Sequence, residues 1–301
     1  MKRLALSLLL LAAVAVWGWT FVVVKDAVAG YGVLSFLAIR YVLAVALVAS
    51  AAWRRVRGRS LRAGAGIGLA LAAGFVLQTF GLRFTTASNS GVITGLFIVF
   101  VPLAGRALFG VRTAPLVWVA IGASLAGLAL LSGGAPQGAN LGDALTLGCA
   151  AAFGLHVVLL DRYAKQHDIW SLVLGQLAAA AVLFVAGALL FERPAWPSPA
   201  VWRAIAITAL LATVLAFFIQ TFVQQRLPAV PTAMILLLEP LFAAFFGHLL
   251  AGDRLTGAQV AGAVLMSGAA VFVELYPLLR RRPARSPAPG EPMAVDTRRA
   301  N

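Results

Sequence analysis

Apolar residues in this chain are gathered into ten continuous runs of about 20 residues, separated by short polar breaks. The runs cover residues 4–24, 33–52, 64–82, 88–109, 114–132, 141–160, 170–190, 200–223, 230–250 and 255–276. A helix needs about 20 apolar residues to cross a hydrocarbon core of roughly 30 Å, whereas a β-barrel shows short alternating segments. The pattern therefore predicts an all-α polytopic membrane protein with ten transmembrane helices, called span 1 to span 10 below.

The composition excludes a soluble globular protein. Of the 301 residues, 61% are hydrophobic and only 11% are charged, whereas a soluble domain has about 25% charged residues. The formal net charge of +14 suggests a nucleic-acid partner at first sight. The basic residues lie in the breaks between apolar runs, however, so we expect no nucleic-acid partner. Because the single cysteine, Cys149, lies inside span 6, we also expect no disulfide, metal or other cofactor.

The connecting segments predict the orientation of the chain. If the N-terminus is cytoplasmic, 18 Lys and Arg residues lie on the cytoplasmic side and 5 on the other, with Arg40 inside span 2. The positive-inside rule then predicts an integral protein of the plasma (bacterial inner) membrane with both termini in the cytoplasm. The N-terminal run also fits a signal peptide, but it continues to Val24 and is long enough to span. The basic, proline-rich segment 277–301 is predicted to be a disordered cytoplasmic tail.

Two halves of the chain share sequence motifs, which predicts two repeats, 1–136 and 137–276. The recurring motifs are Gln78-Thr79-Phe80 with Gln220-Thr221-Phe222, and Val101-Pro102-Leu103 with Glu239-Pro240-Leu241. Each half has five spans, an odd number, so the second half enters the membrane from the opposite side. Inverted repeats of this kind form secondary transporters, which hold their substrate near the midplane. In this alignment Val101 occupies the place of Glu239.

Several motifs, in order along residues 4–276, resemble those of the EamA family in the drug/metabolite transporter superfamily. They are Trp17-Gly18 with Phe21 and Lys25, Arg40-Tyr41, the segments 78–82, 85–90, 93–96 and 100–102, Leu238-Glu239-Pro240, and Gly252-Asp253-Arg254-Leu255. The resemblance implies two inverted repeats of five helices, alternating access, and export or exchange of small metabolites such as amino acids. It does not identify the substrate.

Glu239 is the most informative polar residue, because it lies about nine residues into span 9. A carboxylate at the bilayer centre costs roughly 2.5–3.5 kcal/mol on insertion scales. We consider three roles for it: a proton-coupling site, a counter-ion for an ammonium group, or a structural carboxylate that caps backbone groups freed near Pro240.

Arg40 lies about seven residues into span 2, which is roughly 10 Å from the outer surface. It could extend to the outer headgroups, form an ion pair with Asp26, or bind a substrate carboxylate. Lys25 and Asp26 themselves lie at the outer end of span 1, where we expect them to anchor the helix at the interface.

Other polar and aromatic residues lie at depth in the spans. Thr213, Phe217 and Gln220 share one face of span 8, as Ser90, Thr94 and Phe97 do on span 4. These groups either hold helices together, at about 0.6–2 kcal/mol each, or line a substrate cavity. The predicted substrate-binding residues are Trp17, Trp19, Arg40, Gln78, Ser90, Thr94, Thr213, Phe217 and Gln220.

Two polar residues of span 6 and two glycine pairs have mainly structural interpretations. His156 is interpreted as a hydrogen-bonded core residue in preference to a proton relay, and Asp143 as an N-terminal helix cap. Pairs of glycines four residues apart let helices approach closely. The pairs are Gly64 with Gly68 and Gly91 with Gly95.

These features together predict a secondary transporter of small organic solutes, not an enzyme. Its partners are the solute, the lipid bilayer and, if Glu239 couples transport to a gradient, a proton; the protein is a monomer or a homodimer. A membrane-embedded enzyme is one alternative, but the sequence has no HExxH, GxSxG or paired-acid motif. A channel or sensor is another, but there is no filter-like loop and no voltage-sensor arginine spacing.

Overall fold

The computed structural model describes residues 2–28, 30–85, 87–133, 140–193, 195–252 and 254–279, and these residues form helices and connections without a strand. The helices are α1 (Lys2–Val28), α2 (Val33–Ala52), α3 (Gly58–Gly81), α4 (Ala87–Gly95), α5 (Phe97–Phe109), α6 (Pro115–Leu131), α7 (Leu141–Ala164), α8 (Ile169–Phe191), α9 (Pro199–Ile207), the π-helix (Thr208–Leu215), α10 (Ala216–Gln224), α11 (Ala229–Leu236), α12 (Glu239–Ala251) and α13 (Gly257–Leu279).

The helices have the length and surface of membrane spans. Within the described ranges, nine helical stretches of 20 to 26 residues are apolar enough to cross a membrane, and α6 adds a stretch of 17 residues. Seventeen residues rise about 26 Å, which is at the lower limit for a span. Large apolar side chains such as Val182, Leu190 and Val264 are at least 67% exposed, which suits a surface in contact with lipid. The chain is therefore a multi-pass membrane protein, as predicted.

The predicted boundaries need two corrections. Helix α3 begins at Gly58 instead of residue 64, because arginines at its start lie on the exposed surface and do not interrupt the helix. Helix α13 continues to Leu279, so the first residues of the predicted disordered tail are helical. Residues 280–301 lie outside the described residues.

Three predicted spans are not continuous α-helices. Span 4 consists of α4 and α5, which are separated at Leu96, and span 9 consists of α11 and α12, which are separated at 237–238. Span 8 consists of α9, the π-helix and α10. The apolar pattern runs unbroken through all three, because hydrophobicity reports burial in lipid and not the backbone hydrogen-bond pattern.

The two spans with a break have the same internal plan. Helices α4 and α11 have 9 and 8 residues, and α5 and α12 have 13 residues each. Gly110 and Gly252 then end α5 and α12 in the left-handed conformation, with φ of 67° and 75°, which glycine adopts without steric cost. Counted from the break, Glu239 takes the same place in α12 as Phe97 does in α5, whereas the alignment through the two prolines pairs Glu239 with Val101.

Close helix contacts join the two halves of the chain. Helix α3 packs against α7 and α8, α2 against α8, α6 against α13, and α1 against α10 and α12. Gly64 and Gly68 lie directly against the backbone of α8, where a Cβ atom would overlap Leu172 and Gln176. The two largest apolar clusters of the described residues come mainly from α5, α6, α11 and α13 and from α2, α3 and α8, and Trp17 packs against both.

Candidate functional site

A cavity of about 520 Å³ lies between the two apolar clusters, at the breaks in spans 4 and 9. This volume is within the range of about 300–1,000 Å³ that is usual for small-molecule sites. Eight of the ten predicted site residues line it: Trp17, Arg40, Gln78, Ser90, Thr94, Phe217, Gln220 and Glu239. Trp19 and Thr213 are not among the lining residues. Trp19 is two positions from Trp17, so it projects from a different side of α1.

Arg40 is held towards the cavity by Thr213. The Nε of Arg40 donates a hydrogen bond of 2.6 Å to Thr213 Oγ1, and this hydroxyl donates to the carbonyl of Thr208 at 3.0 Å. Thr213 is fully buried. The hydrogen bond to Thr213 holds Arg40 beside the π-helix, whereas extension to the headgroups, one of the three roles considered, would need a free side chain. Thr213 thus positions the arginine without lining the cavity. The alternative pairing with Asp26 involves a side chain outside the described residues.

The π-helix provides two attachments beside the cavity. Besides the bond from Arg40 to Thr213, the indole Nε1 of Trp17 donates to the carbonyl of Ala212 at 2.7 Å. Stretches of π-helix are rare and frequently occur at functional sites. Here the widened turn fixes one aromatic and one cationic residue of the cavity wall.

Glu239 is the first residue of α12 and borders the cavity. In the part of the chain that the structure describes, its carboxylate accepts no hydrogen bond and has no ion-pair partner within 4.0 Å. The predicted capping role is therefore not observed. The positive end of the α12 dipole stabilises a negative charge at this position, and the charge of Arg40 also acts on it.

Three of the predicted polar residues form hydrogen bonds at the cavity wall or behind it. Gln78 Nε2 donates to Thr94 Oγ1 at 3.2 Å, and Gln220 Nε2 donates to Gln224 Oε1 at 3.2 Å. The hydroxyl of Ser90 has no hydrogen-bond partner among the described residues. These bonds fix the amide groups and leave the wall with a small number of oriented polar atoms.

The structure confirms the structural interpretations of two span 6 residues. His156 Nε2 lies 2.9 Å from Gln176 Oε1, and the ring is 3% exposed; it also borders the cavity. Asn140 and Asp143 form a reciprocal capping box at the start of α7. No group of three His, Cys, Asp or Glu side chains that could hold a metal ion is found in the described ranges.

Most of the cavity wall is apolar and aromatic, and the sequence analysis missed part of it. Phe75 and Phe153 pack edge to face with ring centroids 5.3 Å apart, and Trp17 and Phe217 pack at 5.6 Å. Phe75 and Leu71 lie on the same face of α3 as Gln78, at positions i, i+4 and i+7. That spacing could have identified them, but Phe153 was not distinguishable from the lipid-facing residues of an apolar run.

The model of the EamA-like transporter family matches residues 4–133 and 140–275. The chain belongs to this family. It is similar to an uncharacterized transporter of Archaeoglobus fulgidus, with 31% identity over 91% of this chain and 87% of the relative. It is also similar to the threonine/homoserine exporter RhtA of Salmonella typhimurium, with 27% identity over 53% of this chain and 54% of that protein.

The fold of this EamA-like chain is shared with a solved crystal structure. The two have a TM-score of 0.79 at 18% identity, covering 92% of this chain and 99% of the other. At this identity the similarity concerns the fold alone. The EamA-like chain is a transporter-family membrane protein. Its cavity carries the basic side chain of Arg40 and the acidic side chain of Glu239.

Proposed function

We propose that this EamA-like protein is a secondary transporter that exports or exchanges small organic solutes, amino acids or related metabolites, by alternating access. The observation that carries the proposal is the cavity at the breaks in spans 4 and 9, which is large enough for such a solute. Breaks of this kind near the midplane form the substrate sites of secondary transporters. The similarity to a threonine/homoserine exporter favours amino acids among the small solutes.

An inverted repeat, with units at 1–136 and 137–276, is supported by the pattern of helix contacts. In such a repeat, span 3 is equivalent to span 8 and span 6 to span 1. The packing of α3 on α7 then corresponds to the packing of α10 on α1, and both are observed. The contacts of α4 and α5 with α7 correspond in the same way to those of α11 and α12 with α1. Gly127 of α6 lies against Gly262 of α13. A twofold axis that exchanged the two repeats would bring these two equivalent helices together in this way.

Alternating access is supported by a difference between the two ends of the cavity. Val24 near the end of α1 and Leu82 after α3 belong to its lining, so the cavity extends towards the side that the charge pattern assigns to the outside. At the other side, Ser60 Oγ lies 3.2 Å from His167 Nδ1, and the backbone N–H of Arg57 donates to Ser171 Oγ at 2.8 Å. These bonds join the two proposed repeats at the cytoplasmic end.

Solute flux through proteoliposomes tests the function. Radiolabelled amino acids are exchanged against unlabelled solute inside the vesicles, and we expect saturable counterflow. The Gly91→Phe variant should reduce it at least tenfold. Gly91 borders the cavity and no described residue has an atom within 4 Å of its Cβ position, so the added ring fills the cavity. Gly122→Phe on the exposed side of α6, where a Cβ also meets nothing, is the matched control. Equal counterflow in both variants would contradict the proposal.

The same vesicles separate the two chemical roles of Glu239. If Glu239 couples transport to protons, an imposed pH gradient accelerates flux in the wild type and not in Glu239→Gln. If it acts only as a counter-ion, the gradient has no effect in either protein and the variant loses affinity for the solute. Metabolite profiling of medium from overexpressing and deleted cells then reports the direction of transport.

A further inference from the structure

We propose that Arg40 and Glu239 bind the two charges of one zwitterionic solute, an α-amino acid with an apolar side chain. The carboxylate of the solute pairs with Arg40 and its ammonium group with Glu239. This inference rests on the proposed transport function, because it assigns the solute class and the residues that select it.

The two residues supply opposite charges to one cavity from different helices. Arg40 comes from α2 and Glu239 from the start of α12, and among the other described lining residues only His156 carries an ionisable acid or base group. The two side chains are further apart than the 4.0 Å of an ion pair, although they interact electrostatically. Neither has an ionic partner elsewhere in the described residues.

The guanidinium of Arg40 is oriented for a carboxylate. Thr213 accepts the hydrogen bond from Nε, and the two terminal nitrogens donate no hydrogen bond to any described residue. Two parallel N–H donors on a fixed plane match the two oxygens of a carboxylate. The side chain also loses little freedom when a ligand binds, because Thr213 already fixes it.

A zwitterion is preferred over a singly charged ligand because both charges of the cavity need a partner. An amine without a carboxylate would pair with Glu239 and leave Arg40 desolvated and unpaired. A carboxylate without an amine would do the reverse. A buried polar group left unpaired carries a large penalty, so a site built for two groups rejects the analogue that lacks one.

The remaining wall selects an apolar side chain. Besides five uncharged polar residues, it includes the apolar and aromatic side chains of Trp17, Leu71, Phe75, Phe153 and Phe217. These side chains offer apolar surface and aromatic edges to the part of the solute that carries no charge. A charged solute side chain would meet no third ionic partner among the described residues of this wall.

The test measures equilibrium binding to the full-length protein in nanodiscs, with three ligands of the same carbon skeleton. They are L-phenylalanine, phenethylamine, which lacks the carboxylate, and 3-phenylpropionate, which lacks the amine. We expect L-phenylalanine to bind at least tenfold more tightly than either analogue. L-leucine, isoamylamine and 4-methylpentanoate form a second series with a smaller side chain, for which we expect the same order.

Two variants assign each charge to its residue. Arg40→Gln should remove the preference for L-phenylalanine over phenethylamine, and Glu239→Gln should remove the preference over 3-phenylpropionate. Arg203→Gln, at an exposed position, is the control and should keep both preferences. Should either glutamine variant fail to fold, Arg40→Lys and Glu239→Asp keep the charge and should retain a reduced preference.

The inference is overturned if either analogue binds the wild type as tightly as the amino acid in both series, or if no ligand of either series binds. Transport is judged separately. Saturable counterflow of any other solute that Gly91→Phe blocks would leave the proposed transporter standing while the zwitterion site fails. Absence of saturable flux for every solute would contradict the proposed function itself.

Discussion

At the scale of single residues, the position of Arg40 depends on one buried hydroxyl group. Thr213 Oγ1 accepts from Arg40 Nε and donates to Thr208 O, so both of its hydrogen-bonding roles are occupied. Without this acceptor the long arginine side chain could extend towards the headgroups, as such side chains do when nothing holds them. Thr213 is therefore a positioning residue. The sequence places it on the polar face of span 8, but it does not show that its hydroxyl group contacts Arg40.

Thr213→Val should weaken binding of L-phenylalanine about tenfold, because a hydrogen bond to a charged group is lost at nearly constant volume. Thr213→Ser keeps the hydroxyl and should bind as the wild type does. The preference for L-phenylalanine over phenethylamine should fall in the valine variant alone. A loss of thermal stability with this preference unchanged would instead indicate that Thr213 serves only the π-helix.

At the scale of helices, glycines determine how closely α3 approaches α8. Gly68 lies against the backbone of Gln176, whereas Gly66, two residues earlier, has nothing within 4 Å of its Cβ position and is exposed. The two glycines occupy the same helix at similar depth and differ only in the side they face. Substitutions at the two positions therefore distinguish the effect of helix propensity on stability from the effect of helix packing.

Gly68→Ala should lower the free energy of unfolding by about 1–3 kcal/mol, because the added methyl group forces two backbones apart. Gly66→Ala should raise it by about 0.5–1 kcal/mol, since alanine loses less conformational entropy in a helix than glycine does. Unfolding in detergent, followed by circular dichroism, measures both. Similar effects of the two substitutions would mean that the contact with α8 does not limit the approach.

At the scale of the whole molecule, the start of α1 and the end of α13 lie on the same side of the helix bundle. Arg3 near the start of α1 forms an ion pair of 2.7 Å with Glu274 near the end of α13. An even number of crossings returns a chain to its starting side, in agreement with ten spans. The excess of arginines then supports the cytoplasm as that side.

This topology predicts from which side the cavity is reached. In a Cys149→Ala background, Gly91→Cys should react with a membrane-impermeant maleimide added to the outside of whole cells, and saturating solute should slow the reaction at least fivefold. Gly122→Cys, which faces away from the cavity, should stay unlabelled. Labelling of Gly91→Cys only from the cytoplasmic side would reverse the orientation, and epitope tags at the two termini would check this independently.

The sequence predicted much of the cavity because polar residues are costly in lipid. Gln78, Thr94, Gln220 and Glu239 stood out against apolar runs, and each of them lines the cavity. Phe153 did not stand out, because an aromatic ring is equally suited to lipid and to a cavity wall. Trp19 does not line the cavity, because a position two residues from Trp17 lies on a different side of α1.

What the sequence determined by itself is the set of apolar segments long enough to cross a membrane, because a bilayer imposes a length and a composition on every such segment. Local hydrophobicity is enough to identify the length and the composition of each segment. The tertiary structure alone decided the breaks at Leu96 and 237–238, the π-helix, and the hydrogen bond from Arg40 to Thr213. These features depend on contacts between backbone and side-chain groups of helices that are distant in sequence. A local pattern of polarity does not specify such contacts.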